Sequence, residues 1–437
     1  MTEKAAVMPE KPAADKWSPR VWHRRASRPV SIWMMVFIAG GLTHFLIPNY
    51  GWVLTHIFTL GILTNSILVW SQHLTEKFVQ QRLDEKTRPL QLYRIYGVNL
   101  GAIIVIIGNM FIIPPLTVAG AAIVAALMLW HSGFLLKQWH AAKGKRFRPI
   151  VAAYAASAAF LPLGAFFGGL LAYHPGNPKL LIAHIACNLA GFTGLAAAAS
   201  LSVLFPAIWR SKGITRYLSP ALILLGVGVV ATVAGALLGF PELGLAVYTA
   251  GWVLNWQQWL GNVNTKALSY QSLSALCAVT WFVLTLVYFT AAQFTQAHPK
   301  IPVMALLVGF AGQLLIGVMA YLLPTTMGGG PGATRAGLLA MGRLGILRVT
   351  FINGGLMLWL ASDNSYEKIL FSLLCMGSLA VFPFFMVRGV RAQRAVITKR
   401  ALAPDAAALA DAPFPAWQLY LGVGIEVAIW ALFTALG

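Results

Sequence analysis

Thirteen apolar runs divide this chain, and short polar connections separate them. The runs cover approximately 30–48, 52–75, 92–112, 115–136, 150–172, 179–208, 217–238, 243–260, 269–293, 301–323, 338–361, 367–387 and 416–436. Each can supply the ~20 residues needed to cross a ~30 Å hydrocarbon core. Lipid offers no partner to an open backbone group, so such segments are expected to be helices. The predicted fold class is all-α integral membrane, with about 13 transmembrane helices.

The pattern also recurs at intervals of about 120 residues, in units of four helices. On the second helix of each unit, Gly61, Gly194 and Gly312 are each followed twelve residues on by His73, Pro206 and Pro324. One helix later, Arg94 and Asn99 match Arg348 and Asn353, each pair five residues apart. This predicts three pseudo-repeats, approximately 28–147, 148–265 and 266–387, around an axis through the membrane. The remaining segments read as a cytoplasmic basic tail (1–29), a cytoplasmic linker (388–415) and a C-terminal transmembrane helix (416–437). Residues 1–16, rich in Ala, Pro and Lys, are expected to be disordered.

Charge fixes the expected orientation. The formal net charge is +20. Basic residues collect in alternate loops, at 77–94, 137–148, 209–216, 325–348 and 388–400. The intervening loops hold few, chiefly Lys300 and Lys368. This positive-inside asymmetry predicts a multi-pass protein of the bacterial inner membrane with a cytoplasmic N-terminus. It argues against nucleic acid as a partner and for the lipid bilayer. Only 10% of residues are charged and 58% are hydrophobic, which excludes an ordinary soluble domain. Cys187, Cys277 and Cys375 all fall inside apolar runs and have no metal-ligand spacing. The glycine-rich stretch 328–332 lacks the ending of a phosphate loop.

With that orientation, His44, His56, His174, His184 and His298 belong to the outer side. His73 lies seventeen residues beyond His56 and therefore ~25 Å deeper along one helix. His56 and His184 occupy helices of the same rank at similar depth, which makes them the leading metal ligands, since neutral imidazole binds haem iron, copper and zinc. His44, His73, His131 and His298 are further candidates. The competing reading of a membrane histidine is a hydrogen bond that only supports helix packing. His140, among Lys137, Lys143 and Lys145, reads as part of a solvated basic face. Asn99, Asn353, Arg94 and Arg348 read as helix-packing polar residues. Glu426 is the one acid well inside a run, so no chain of carboxylates crosses the membrane.

Three four-helix units with histidines near the outer ends of helices two and six resemble subunit I of the haem-copper oxidase superfamily. The polytopic NnrS family is similar. The stretch from Trp22-His23-Arg24-Arg25 through His56-Ile-Phe-Thr-Leu-Gly61 to Trp70-Ser-Gln-His73 is similar to the membrane part of actinobacterial copper nitrite-reductase-like proteins. The resemblance implies haem b and/or copper, with a low-spin haem ligand at His56 and a copper ligand at His184. It implies electron transfer or nitrogen-oxide handling, and an extracytoplasmic cupredoxin-type protein as partner. The oxidases also carry histidine pairs on helices seven and ten. Helix seven here has none, and near helix ten only Met304 and His298 stand, so a complete oxygen reductase is not expected. A transporter or permease without a redox centre, and a membrane anchor for a partner protein, are the alternatives. In either of those no cofactor is expected.

The orientation has a direct test. Cysteines introduced at Gln81 and Lys143 should react with an impermeant thiol reagent only from the cytoplasmic side of sealed vesicles. Labelling of either from outside intact cells would invert every depth assigned above.

Overall fold

The computed structural model describes residues 19–80, 83–84, 86–213, 216–295, 299–406 and 414–436. Among them the regular structure is entirely helical. The first two helices among the described residues are α1 (Pro19–Ala26) and α2 (Arg28–Leu42). The long ones that follow are α3 (Tyr50–Val79), α4 (Thr87–Met110), α5 (Pro114–Ala141), α6 (Arg148–Tyr173), α7 (Pro178–Ile208) and α8 (Leu218–Leu238). Then come α9 (Glu242–Leu260), α10 (Tyr270–Thr295), α11 (Ala305–Met327), α12 (Gly330–Met341), α13 (Gly345–Ala361), α14 (Ser365–Ile397) and α15 (Ala416–Leu436).

Ten of these are long and apolar enough to cross a membrane, or eleven if α12 and α13, which meet at 43°, form one broken span. The sequence-based figure of thirteen is higher for identifiable reasons. The first apolar run yields α2, only 15 residues long, which ends at Thr43 before a short 3-10 turn at His44–Leu46. The eighth yields α9, 19 residues long, whose polar Asn255, Gln257 and Gln258 dilute its apolar character.

Three helices share an unusual feature. A π-helical stretch interrupts α3 at Ile57–Leu63, α7 at Ala186–Gly194 and α11 at Ala305–Gly312. Each contains a glycine pressed against an aromatic ring from the preceding long helix. A Cβ at Gly61 would lie 2.5 Å from Trp33, at Gly191 2.6 Å from Phe160, and at Gly309 2.8 Å from Trp281. In the second and third cases this glycine precedes by three residues the one aligned by sequence, since Gly194 instead faces the Tyr248 hydroxyl and Gly312 the Phe58 ring. Two of the tryptophans then donate to an asparagine on a third helix, Trp33 Nε1 to Asn99 Oδ1 at 2.6 Å and Trp281 Nε1 to Asn353 Oδ1 at 2.9 Å. Asn99 also exchanges hydrogen bonds with Asn65 of α3.

The two arginines that sit five residues before those asparagines are buried against rings. Arg94 lies over Trp130 and Phe134 of α5, at 5.2 and 4.8 Å. Arg348 lies over Tyr270 and Phe385, at 3.8 and 4.3 Å. A delocalised guanidinium is weakly hydrated and stacks on aromatic faces, so it tolerates this position better than an ammonium would. The shared core is also aromatic. Phe282 of α10 stacks on Phe310 of α11 at 3.9 Å, and Trp252 of α9 meets Phe282 edge-on at 4.6 Å.

Two segments read from sequence as extramembrane hold helix. Residues 19–26 of the basic tail form α1, with Trp22 and His23 buried. The expected disordered stretch 1–16 lies outside the described residues. Helix α14 continues to Ile397, ten residues into the expected linker, and residues 407–413 of that linker lie outside the described residues.

Burial of α1 makes it pH-sensitive. Burial, and secondarily the charge of Lys77, depress the His23 imidazole from 6.5 to about 4. A histidine held neutral in the fold contributes stability above its unfolded pKa, and that contribution is lost as pH falls toward the folded one. Docking of α1 should therefore weaken between about pH 6.5 and 4. The protection factors of amides 21–26, taken relative to intrinsic exchange at each pH, should fall across that window, and His23→Phe should flatten the response; protection factors that stay constant with pH in the wild type would refute the assignment.

Candidate functional site

The long helices leave a cavity of about 620 Å³ among α3, α4, α5, α6 and α7, reached also by the segment leading into α11. That is within the ~300–1,000 Å³ of small-molecule and cofactor sites. Its wall is mostly apolar, including Val105, Leu161 and Phe192, with polar groups at few points. His56 and His184 both line it, their ring centroids 6.4 Å apart with a 34° tilt. Each stands immediately before or within two residues of a π-helical stretch. Such insertions redirect the side chains around them and are frequent at functional sites.

Backbone carbonyls hold both rings. His56 Nδ1 lies 2.8 Å from the Trp52 carbonyl one turn back, and the ring stacks on the Trp52 indole at a centroid distance of 3.6 Å. His184 Nδ1 lies 2.8 Å from the Gly164 carbonyl of α6. A carbonyl only accepts, so each Nδ1 must carry the proton, and Nε2 is left as the lone-pair nitrogen. The same tether, a ring N–H to a carbonyl, fixes the orientation of metal-bound histidines generally.

Helix α6 is shaped for the second ring. A Cβ at Gly168 would lie 2.9 Å from His184 Cε1, and one at Gly164 would collide with the Asn188 amide. Asn188 is one turn after His184. Its amide donates to the His184 carbonyl at 3.0 Å and lies beside the ring, 3.2 Å from Nδ1 and 3.4 Å from Nε2. The remaining polar lining includes Thr55, Thr59, Asn109, Thr117 and Thr193. Thr193 Oγ1 donates to the Asn188 carbonyl, five residues back, as Thr64 Oγ1 does to Thr59, so the π-geometry also satisfies these hydroxyls.

The other candidates lie elsewhere. His44 is exposed on the 3-10 turn, beside the Gly41 carbonyl and Tyr50. His131 is buried on α5, its Nε2 3.0 Å from Ser71 Oγ. His73, toward the far end of α3, lies beside His23 of α1, its ring tilted by 55° at a centroid distance of 5.2 Å. His174 and His140 are exposed, and His298 is outside the described residues. Asn188, Gly164 and Gly168 escaped the sequence reading. Their only signals were His184-(x)3-Asn188 and the small-residue spacing Gly164-(x)3-Gly168 within an apolar run.

Among the described residues no group of three or more His, Cys, Asp or Glu side chains comes together as a metal site. Comparison with family models, with curated proteins and with solved structures finds no match to this chain.

Gly168→Ala isolates one half of the pair. Its methyl must displace the His184 ring from the Gly164 carbonyl. In protein labelled with 15N-histidine, His56 and His184 should both show the Nδ1–H tautomer, and Gly168→Ala should perturb His184 more than His56. Nε2–H signals for both rings in the wild type would overturn the arrangement.

Proposed function

We propose that this chain is a haem-binding integral membrane protein in which His56 and His184 clasp one iron, and that it serves electron transfer or nitrogen-oxide handling. The observation that carries this reading is the pair of carbonyl-tethered imidazoles, 6.4 Å between centroids, lining an apolar cavity of about 620 Å³. Metal–imidazole bonds are ~2.0–2.1 Å, so two rings on opposite sides of one metal hold their centroids roughly 6 Å apart.

The donor set favours haem over a copper ion alone. A protein-only site that holds its metal permanently asks for three or four side-chain ligands, and only two imidazoles line this cavity. A porphyrin supplies four donors itself and asks for two axial ones. When bound, it would supply a one-electron centre. The chain's contribution is to keep both Nε2 atoms unprotonated, to hold His184 against α6 through Gly164 and Gly168, and to surround the iron with low-dielectric wall. Asn188 is placed to donate to a bound ligand or to hold Nε2 before loading.

The three π-stretches on α3, α7 and α11, each with a glycine under an aromatic ring, support a threefold repeat and with it the likeness to oxidase subunit I. The missing histidine pairs on α8 and α11 speak against oxygen reduction. An outer cupredoxin-type partner remains part of the proposal as electron donor or acceptor. A permease is the second reading, favoured by one feature. Thr193 lines both the large cavity and a smaller, mostly apolar one of about 100 Å³ among α3, α6, α7 and α11, so the two adjoin at that residue.

Absorption spectra separate the two. Protein expressed with haem and copper supplied should show the sharp reduced α and β bands of a six-coordinate low-spin haem. His56→Ala and His184→Ala should each abolish or shift them, and His140→Ala should not. A colourless wild type that carries no stoichiometric copper would eliminate the redox reading.

A further inference from the structure

The opposite end of α3 holds a second pair of histidines, which the cavity does not use. His23 of α1 and His73 of α3 have ring centroids 5.2 Å apart, tilted by 55°. The Trp70 indole meets both rings edge-on, at 4.7 and 5.4 Å. His23 is 92% buried by its 8% residual exposure, and neither of its ring nitrogens has a hydrogen-bond partner. His73 Nε2 is likewise buried and unpartnered. Leaving a buried polar atom unsatisfied is costly. Three such atoms on two adjoining rings call for a partner.

We propose that His23 and His73 form a binding site for an imidazole-seeking d10 metal ion, copper(I) or zinc(II), where α1 docks on the end of α3. At 5.2 Å the rings are too close to stand on opposite sides of a haem iron, where roughly 6 Å is needed. They suit a bent nitrogen–metal–nitrogen arrangement, as in tetrahedral coordination.

The surrounding charge bears on which ion. Arg88 is paired with Glu76 at 3.1 Å, so its charge is offset, whereas Lys77 stands one turn beyond His73. A nearby ammonium disfavours a divalent ion more than a monovalent one, which tilts the site toward copper(I). No third His, Cys, Asp or Glu joins the pair among the described residues, so the other positions are open to water or to an incoming ligand. An open two-imidazole site releases metal readily, which suits transfer rather than permanent storage. Because α1 supplies one ligand, loading would also clamp the N-terminal helix to the bundle.

The test uses the full chain in detergent. It is equilibrated either with copper(I), under reductant and against a chromogenic chelator, or with zinc(II). Wild type is compared with His23→Gln, His73→Gln and His56→Ala. The wild type should retain about one equivalent beyond either glutamine variant, or hold it at least about tenfold more tightly, since even outer-shell changes weaken metal sites 10–100-fold. X-ray absorption of the loaded wild type should show two imidazoles. Retention of copper alone or of zinc alone supports the site and identifies its ion. His56→Ala should keep this metal even where it loses the outer chromophore, so the two readings fail separately. Equal retention by wild type and His23→Gln, or absorption lacking imidazole scattering, overturns the proposal. Since His23 lies on the short α1, outside the spanning helices, that comparison stands even if His73→Gln does not fold.

Discussion

A polar group inside an apolar bundle must find its partner on another helix, because neither lipid nor water is there to supply one. Most of this structure follows from that constraint. Trp33 and Trp281 turn their indole N–H groups to Asn99 and Asn353, while their ring faces press against Gly61 and Gly309. One side chain thereby links three helices, by packing on one side and by a hydrogen bond on the other. The glycines are required because the ring occupies the place of a Cβ. Interhelical hydrogen bonds in membranes contribute only ~0.6–2 kcal/mol each, so the fold rests on such links repeated through the bundle.

The same constraint decides which histidines matter. An imidazole carries one donor and one acceptor in its neutral form, and a helix interior readily satisfies the donor through a carbonyl. His56 and His184 are both in that state, bound through Nδ1 to Trp52 and Gly164. What remains on each ring is the Nε2 lone pair, beside the Asn188 amide in His184, on residues that line a mostly apolar cavity. His131 has a hydroxyl partner in Ser71 at Nε2, while its Nδ1 is buried without one and does not line the cavity. His44 and His140 are exposed, so solvent meets theirs.

Legibility in the sequence followed the same division. Apolar run length revealed the helices, because the requirement for spanning is a simple sum over residues. Its count exceeds the number of helices long and apolar enough to span where a run was short, as in α2, or diluted by amides, as in α9. The choice of His56 and His184 came from helix rank and depth, and in the structure they are neighbours across the cavity. Their supports were hidden. Gly164 and Gly168 look like any small residues in an apolar run, and their role appears only when His184 and Asn188 of another helix lie over them. The register of the glycine marks slipped by three residues in two helices because a GxxG spacing offers two equally good alignments. Only the ring beneath Gly191 and Gly309 distinguishes them.

The π-stretches tie these observations together. A π-turn adds a residue without lengthening the helix, so side chains before and after it change their angular relation. In α3 and α7 the shift falls between a histidine facing the cavity and a glycine facing the neighbouring aromatic ring. An uninterrupted α-helix would keep His56 and Gly61 five residues apart, about 500° or 140° around the axis. With the extra residue the angle per step falls, and the histidine can line the cavity while the glycine stays under Trp33. In α11 the packing half of this device is retained, since Gly309 still lies on Trp281, but Met304 stands where His56 stands in α3. The third helix therefore keeps the scaffold without the imidazole. The pair of cavity imidazoles belongs to α3 and α7, while the glycine–ring contact is common to all three helices.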